Sequence, residues 1–487
     1  MKLFEKLIQI TTSAASLNIF LTENINEVID FQNEDFETLK DEAELINKFI
    51  TDKGAILRLL DYDVSHNKAF ISILFDFCER FGFINTVRIS SIISDNNIII
   101  GHRLLSAKLY LLNIANNSDL INRFDAICTN LQFALENEED NKRKIDLTFA
   151  NYINYVVNNT SNATVTELLK KINEAVLNAQ YSFLSSDFIQ SIIQINYFNH
   201  EVALLELQNL IEAYLNETGN LIKGSTGYLI EEDTDYFSVL ERSSSDFNSI
   251  RRISINRLNV LTETERKNVH SDLLRGVKPL ENENELFAYM VFFGPMHYAK
   301  LTTSFTFLPP DIFNNELNII DWGCGQGMAT MTLLELINSN DYSAKINGIS
   351  LIEPSELALK RASLHVSKFN DSVSIQTINK YLDSLSPSDF KNKKSTIKIH
   401  LFSNILDIDL FSLSALIKLI NATFLGENYF VCVSPFVDDL KASRLDNFMK
   451  SFSKNINYQI IKSIDNKKGQ WTGTTWARVV RVFKASI

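Results

Sequence analysis

From Asn318 onward the chain alternates between short apolar runs and helical patterns, and this alternation restricts the fold more than any other feature. Apolar, β-branched runs fall at 319–321, 348–352, 373–378, 397–402, 429–433, 458–463 and 477–483. Helical spacing fills the gaps at about 328–338, 355–369, 409–422 and 438–454. Strands separated by helices of ten to fifteen residues form parallel βαβ units. The last two runs leave no room for a helix between them, so they must pair antiparallel. The expectation is a doubly wound α/β domain over 295–487, with seven strands and a terminal antiparallel hairpin.

The preceding sequence has a different texture. Over residues 1–215 there is no proline, and apolar residues recur at helical spacing, as at Leu105, Leu109 and Leu112. Leu168, Ile172, Ala175 and Val176 repeat the pattern after Thr164-Val165-Thr166-Glu167, which reads as a capping box. The mixed-sign run from Glu136 to Lys144 reads as an exposed turn between helices. These features predict an all-helical domain over 1–215. Gly219, Gly224 and Gly227, followed by serine- and acid-rich segments, suggest a linker or small hairpin over 216–250. A helical connector over 251–294 leads into the α/β domain. The fold class is therefore α plus α/β.

Composition narrows the function classes. The four cysteines (Cys78, Cys128, Cys324, Cys432) form no C-x-x-C pair, and no H-E-x-x-H pattern occurs. Neither a disulfide framework nor a metal site is expected, which fits a reducing cytoplasm. A net charge of -12 does not favour nucleic acid as a partner. The small basic segments at 391–394 and 467–468 are the local exceptions, and they read as solvated loops. No run of eighteen apolar residues appears, so no membrane span is expected. Polar residues interrupt the first 21 positions, which read as an amphipathic helix and not a signal peptide. A protein partner is the expectation for the helical domain.

Chemistry concentrates at Asp321-Trp322-Gly323-Cys324-Gly325-Gln326-Gly327. Three of the chain's 15 glycines stand at alternate positions between a strand and a helix. Such a turn lets backbone approach a ligand closely and delivers it to a helix N-terminus. Glu353, followed by Pro354, lies 26 residues after Gly327 at the carboxyl end of the second strand. A carboxylate there can accept hydrogen bonds from ribose hydroxyls, while the structural alternative makes it a favourable charge at a helix start.

The glycine turn, Glu353 and the strand pattern together resemble the class I S-adenosylmethionine-dependent methyltransferase family, from Ile319 to the end. The resemblance implies a seven-stranded Rossmann-like domain with S-adenosyl-L-methionine as cofactor. It implies that Gly323, Cys324, Gly325 and Gly327 face the methionine part and that Asp321 holds water or the cofactor's amino group. Glu353 and the neighbouring Pro354 would meet the ribose. The adenine contact after the third strand falls at Tyr381-Leu382-Asp383, which matches the family only loosely. At the end of strand four, members that methylate amino groups carry Asn/Asp-Pro-Pro-Tyr/Phe; here the sequence is Phe402-Ser403-Asn404-Ile405. The polar residues are kept and the prolines are not, which weakens the case for an amino-group target. Ser403 and Asn404 line the pocket by position. Two further segments are expected at the same mouth: the loop bearing Lys467, Lys468, Gln470 and Trp471, and the entry segment with His297 and Lys300. Asn404 and His297 are the catalytic candidates, His297 as general base because histidine titrates near neutrality. The competing readings are a catalytically inactive cofactor sensor or scaffold, and another chemistry on the same fold.

Overall fold

The computed structural model describes residues 2–82, 85–139, 142–216, 234–273, 276–340, 342–371, 373–390, 396–468, 470–471, 474–475 and 477–487. The chain divides into two compact units, one of Met1–Asn220 with Asp438–Ser443, the other of Leu221–Val437 with Arg444–Ile487.

Between residues 2 and 216 the first unit contains twelve α-helices and one 3-10 turn, and no strand among the described residues. Its core is aromatic: Phe4 packs edge-on against Phe49 and Phe77, with ring centroids 5.7 and 6.0 Å apart. A buried ionic cluster sits beside it, with Arg103 paired to Asp76, Glu79 and Glu139. Burial works to raise the Asp76 carboxyl, but Arg80 and Arg103 overcome it and hold the group below the ordinary carboxylate value. Glu139 belongs to the charged run read as a solvated turn, so part of that run serves the interior. Two local expectations also shift. The helix Asn162–Leu177 starts before the supposed capping box, with Ser161 at the N-cap position and no side-chain capping bond. The helix His102–Leu111 buries Leu104, Ala107 and Tyr110, the face beside the leucine stripe.

The second unit carries the sheet. Its strands are β1 (Glu316–Trp322), β2 (Lys345–Ile352), β3 (Ile375–Ile378), β4 (Ile397–Ser403), β5 (Glu427–Ser434), β6 (Ile456–Asn466), the two-residue pair β7 (Gln470–Trp471) and β8 (Thr474–Thr475), and β9 (Arg478–Ser486). The main sheet has seven strands in the order β3-β2-β1-β4-β5-β9-β6. The pairs among β3, β2, β1, β4 and β5 are parallel; β9 runs antiparallel between β5 and β6. The expected α plus α/β class and terminal hairpin are both present. β1 is buried on both faces from Leu317 to Trp322, as a central parallel strand must be. Inserting β9 between β5 and β6 leaves the five parallel strands with a common carboxyl edge, and the site is built there.

The stretch read as a linker is different from that reading where it is described. Thr234 caps the helix Asp235–Glu241, and Asp246 caps the helix Phe247–Leu258 by accepting from Ser249 N at 2.8 Å. The serines and acids that suggested a loop are cap chemistry. Tyr236, Leu240, Phe247, Ile250, Leu286 and Phe287 belong to the same buried cluster as Ile319, Ile349 and Val431 of the sheet. The helices Asp235–Glu241, Phe247–Leu258, Glu283–Phe292 and Gly294–Phe305 are therefore part of the α/β core, while Glu263–Asp272 buries no residue. The small hairpin expected around Gly219–Gly227 lies outside the described residues. No described helix is long and apolar enough to cross a membrane, and no described group of three or more His, Cys, Asp or Glu side chains is placed to hold a metal.

Candidate functional site

The site begins at the end of β1. Gly323, Gly325 and Gly327 all have positive φ, at 63°, 52° and 78°, a backbone region that costs other residues about 1–2 kcal/mol. Each glycine has its own reason. A Cβ on Gly323 would stand 2.6 Å from Ile405 Cδ1, and one on Gly327 would stand 3.3 Å from the Ala362 Cα. A Cβ on Gly325 would meet nothing within 4 Å. Two glycines thus allow close packing of the turn, and the middle one borders open space. The turn feeds the helix Met328–Ser339, with Gly327 at its N-cap position.

Glu353 fastens this turn to the next strand. Its Oε2 accepts from Gly325 N and its Oε1 from Ser355 N, each at 3.0 Å. Burial raises its carboxyl to about 7, against the pull of the two amides and with a further push from Asp321. Asp321 is buried beneath the turn, where its Oδ2 accepts from Thr330 N at 3.2 Å and from Thr330 Oγ1 at 2.7 Å. Its Oδ1 is buried with no hydrogen-bond partner among the described residues. Burial lifts this carboxyl to about 6.

Other predicted positions divide. Cys324 is buried in the turn, its thiol 3.6 Å from the Gly325 carbonyl and raised far above the ordinary thiol value by burial. The Pro354 carbonyl accepts from Asn379 Nδ2 at 2.9 Å, and the same amide donates to the Glu353 carbonyl at 3.0 Å. Asn379, the first residue after β3, was missed in the sequence because a single asparagine after a short strand carries no motif. Asp383 is exposed, and its Oδ1 accepts from Ser412 N at 3.0 Å, just before the helix Leu413–Thr423. This contact belongs to that helix start. Trp322, within the motif, is fully buried and stacked on Phe402 at 5.6 Å.

At the end of β4, Ser403 is half-buried and Asn404 takes a positive φ of 56°. Asn404 N donates to the Val433 carbonyl at 2.7 Å, which sets the ends of β4 and β5 side by side. The Asn404 side chain meets the helix Gly294–Phe305. Lys300 Nζ donates to Asn404 Oδ1 at 2.8 Å, and Asn404 Nδ2 lies 2.7 Å from His297 Nδ1. The same Nδ2 lies 3.2 Å from His297 Nε2, and that ring nitrogen lies 3.3 Å from the Tyr289 hydroxyl. Sequence reasoning named all three residues, and the structure brings them together. It does not support the premise that His297 titrates near neutrality. Burial, then the Lys300 charge, push the imidazole well below its ordinary value. Lys467 Nζ lies over the Phe436 ring at 5.1 Å; the side chains of Gln470 and Trp471 are outside the described residues.

Helices ahead of the sheet also reach the turn. Gln326 Nε2 donates to the Leu286 carbonyl at 2.9 Å, and Ser355 Oγ donates to the Leu280 carbonyl. His365 Nδ1 lies 2.9 Å from the Gln326 carbonyl, while its Nε2 meets the Tyr236 hydroxyl at 2.6 Å. No spacing pattern in the sequence marks these contacts, since their partners stand 39 to 129 residues apart.

No family model matches the chain, and no curated protein matches it. Similar solved structures include a SAM-dependent methyltransferase of Leishmania major, at 13% identity and a TM-score of 0.26, covering 40% of this chain and 76% of that one. A SAM-dependent O-methyltransferase of Thermotoga maritima aligns at 12% identity and a TM-score of 0.23, covering 45% and 71%. The plantazolicin methyltransferase BpumL in complex with SAH aligns at 12% and 0.28, covering 49% and 97%. Scores this low carry no weight for function, which has to be read from the site itself.

Proposed function

We propose that the second unit binds S-adenosyl-L-methionine and transfers its methyl group to an acceptor at the carboxyl ends of β4 and β5. The observation that carries this reading is the hydrogen bond from Gly325 N to Glu353. It joins a glycine turn with open space at its centre to an acidic strand end, on a sheet of the order β3-β2-β1-β4-β5-β9-β6. The residues fit the cofactor. The Asp321 Oδ1, buried and without a partner among the described residues, offers an acceptor for water or an amino group. Glu353 keeps lone pairs for ribose hydroxyls, and the space at Gly325 admits a ligand against the backbone. Bound there, the cofactor would supply an electrophilic methyl group on a sulfonium.

The protein's part is to bind and align, because an in-line methyl displacement gains much of its rate from orientation. Asn404, held from one side by Lys300 and from the other by His297, is a preset wall for the acceptor. His297 acts by positioning Asn404. Turnover with methyl-labelled cofactor and cell extract tests the reading: labelled product is expected, and Asn404→Ala lowers it by about tenfold or more. One observation favours a non-catalytic sensor instead, the loss of the proline-aromatic sequence after Asn404. Tight cofactor binding with no labelled product in any fraction would establish that alternative. For the first unit we propose a protein partner; the net charge of -12 supports this over nucleic acid. Scattered buried thiols are in keeping with a cytoplasmic setting.

A further inference from the structure

We infer that His365 and Tyr236 are positioning residues for the cofactor, acting in series from behind the glycine turn to fix Gln326 and keep its amide N–H for the ligand. This rests on the cofactor reading above and adds the side chains that preset its turn.

The amides of the turn show what is left for a ligand. Gly327 N donates to the Cys324 carbonyl at 2.8 Å, and Cys324 N donates to the Ile352 carbonyl at 2.8 Å. Gly325 N donates to Glu353 Oε2 at 3.0 Å. Gln326 N has no acceptor among the described residues, although Gln326 is only 3% exposed. A buried N–H in that state is costly. It stands next to Gly325, where an added Cβ would meet nothing within 4 Å. A ligand lying against Gly325 can supply the missing acceptor.

The rest of Gln326 is held by the protein. Its side chain donates to the Leu286 carbonyl at 2.9 Å, and its own carbonyl lies 2.9 Å from His365 Nδ1. A carbonyl only accepts, so Nδ1 carries the ring proton. Burial, then the Arg361 charge, push the imidazole down to about 3, against the pull of the Gln326 carbonyl. The ring is therefore neutral and Nε2 is a bare lone pair, to which the Tyr236 hydroxyl donates at 2.6 Å. Without that donor the ring could carry its proton on Nε2 and turn a lone pair toward the Gln326 oxygen. Tyr236 is itself packed under the Arg361 guanidinium, 3.5 Å from its ring centre. The order hydroxyl, imidazole, carbonyl thus runs one way only, and both side chains are buried. Both ring nitrogens are engaged, so His365 acts through Gln326 and moves no proton.

Calorimetry on the full-length protein with S-adenosylhomocysteine tests this with two substitutions that each keep one bond. In His365→Asn the side-chain amide nitrogen can stand where Nδ1 stands, so the bond to Gln326 is kept and the one from Tyr236 is lost. In His365→Gln the longer side chain reaches the Nε2 position, so Tyr236 keeps an acceptor and Gln326 loses its donor. Both variants lose the ring's packing and one hydrogen bond, so both should melt below wild type. Affinity should separate them, weakened roughly tenfold in His365→Gln and by no more than about threefold in His365→Asn. A role in stability alone would make affinity follow the melting temperatures; equal affinity in the two variants, or the reverse order, overturns the inference. Tyr236→Phe, which keeps the ring under Arg361, is an independent arm. It should weaken binding by about threefold in the wild-type background and have no further effect in His365→Asn, where the bond it removes is already gone. An effect of equal size in both backgrounds, or none in either, overturns the series. Wild-type protein that gives no heat with S-adenosylhomocysteine removes the cofactor reading and this inference together, whereas heat in wild type with either failure above removes the inference alone.

Discussion

Gly325 and Gly327 stand two positions apart and should respond differently to an added side chain. A Cβ on Gly325 meets nothing within 4 Å, whereas one on Gly327 crowds the backbone of Ala362 at 3.3 Å. Gly325→Val should leave a folded protein, destabilised by about 1–2 kcal/mol from its positive φ, with cofactor binding lost. Gly327→Ala should cost more stability, because strain and crowding add. Thermal melts and calorimetry on both variants separate the two effects. Glu353 carries a pH signature. In the ligand-free protein its carboxyl is raised from 4.5 to about 7 by burial, so the folded chain binds that proton more tightly than the unfolded one. Its contribution to stability is complete below about pH 4.5 and is lost as the pH rises through about 7. Cofactor affinity runs the other way, since the ionised carboxylate is the better acceptor for ribose hydroxyls, and it should fall as the pH drops from 8 to 6. Glu353→Gln should flatten both dependences, as melts and titrations at several pH values would show. The positions of Asp321, the glycines, Glu353 and Asn404 were legible because each stands at or just after the end of a strand that its apolar run marks. The depressed basicity of His297 was not legible, since burial and a neighbouring charge decide it.

The elements most clearly legible were those with an unambiguous period. The seven main-sheet strands appear within a few residues of their expected places, and the absence of a helix before the last one correctly implied a hairpin. β3 is shorter and β6 longer than their apolar runs suggest, because pairing sets their ends. The pair β7 and β8 inside the hairpin loop left no apolar signal of its own. The helices Asp235–Glu241 and Phe247–Leu258 were masked by their caps, since serine and aspartate favour loops and helix starts alike. Asp246→Ala removes the cap bond to Ser249 and should cost about 1 kcal/mol. Chemical denaturation would measure it, and an unchanged midpoint would show that the cap contributes nothing.

For the whole molecule, the position of the boundary matters. Counting the α/β domain from 295, as the strand pattern suggested, omits Tyr236, Phe247, Leu286 and Phe287, all buried with the sheet. A chain of residues 234–487 should therefore fold alone and keep cofactor binding, while 295–487 should aggregate or melt many degrees lower through the apolar surface it exposes. Circular dichroism melts on the two truncations decide this. Hydrophobic periodicity identified helices over 1–215 and 251–294, but it does not say which core a helix joins. That depends on contacts such as Tyr236 to His365, 129 residues apart.

The central claim is that this glycine turn and Glu353 form a site for S-adenosylmethionine. Isothermal calorimetry on the full-length protein with S-adenosylmethionine, S-adenosylhomocysteine and NAD tests it most directly. Saturable binding of the first two is expected, with none of NAD and with loss of heat in Gly325→Val. Folded protein that gives no heat with either adenosyl ligand, or that binds NAD instead, would contradict it.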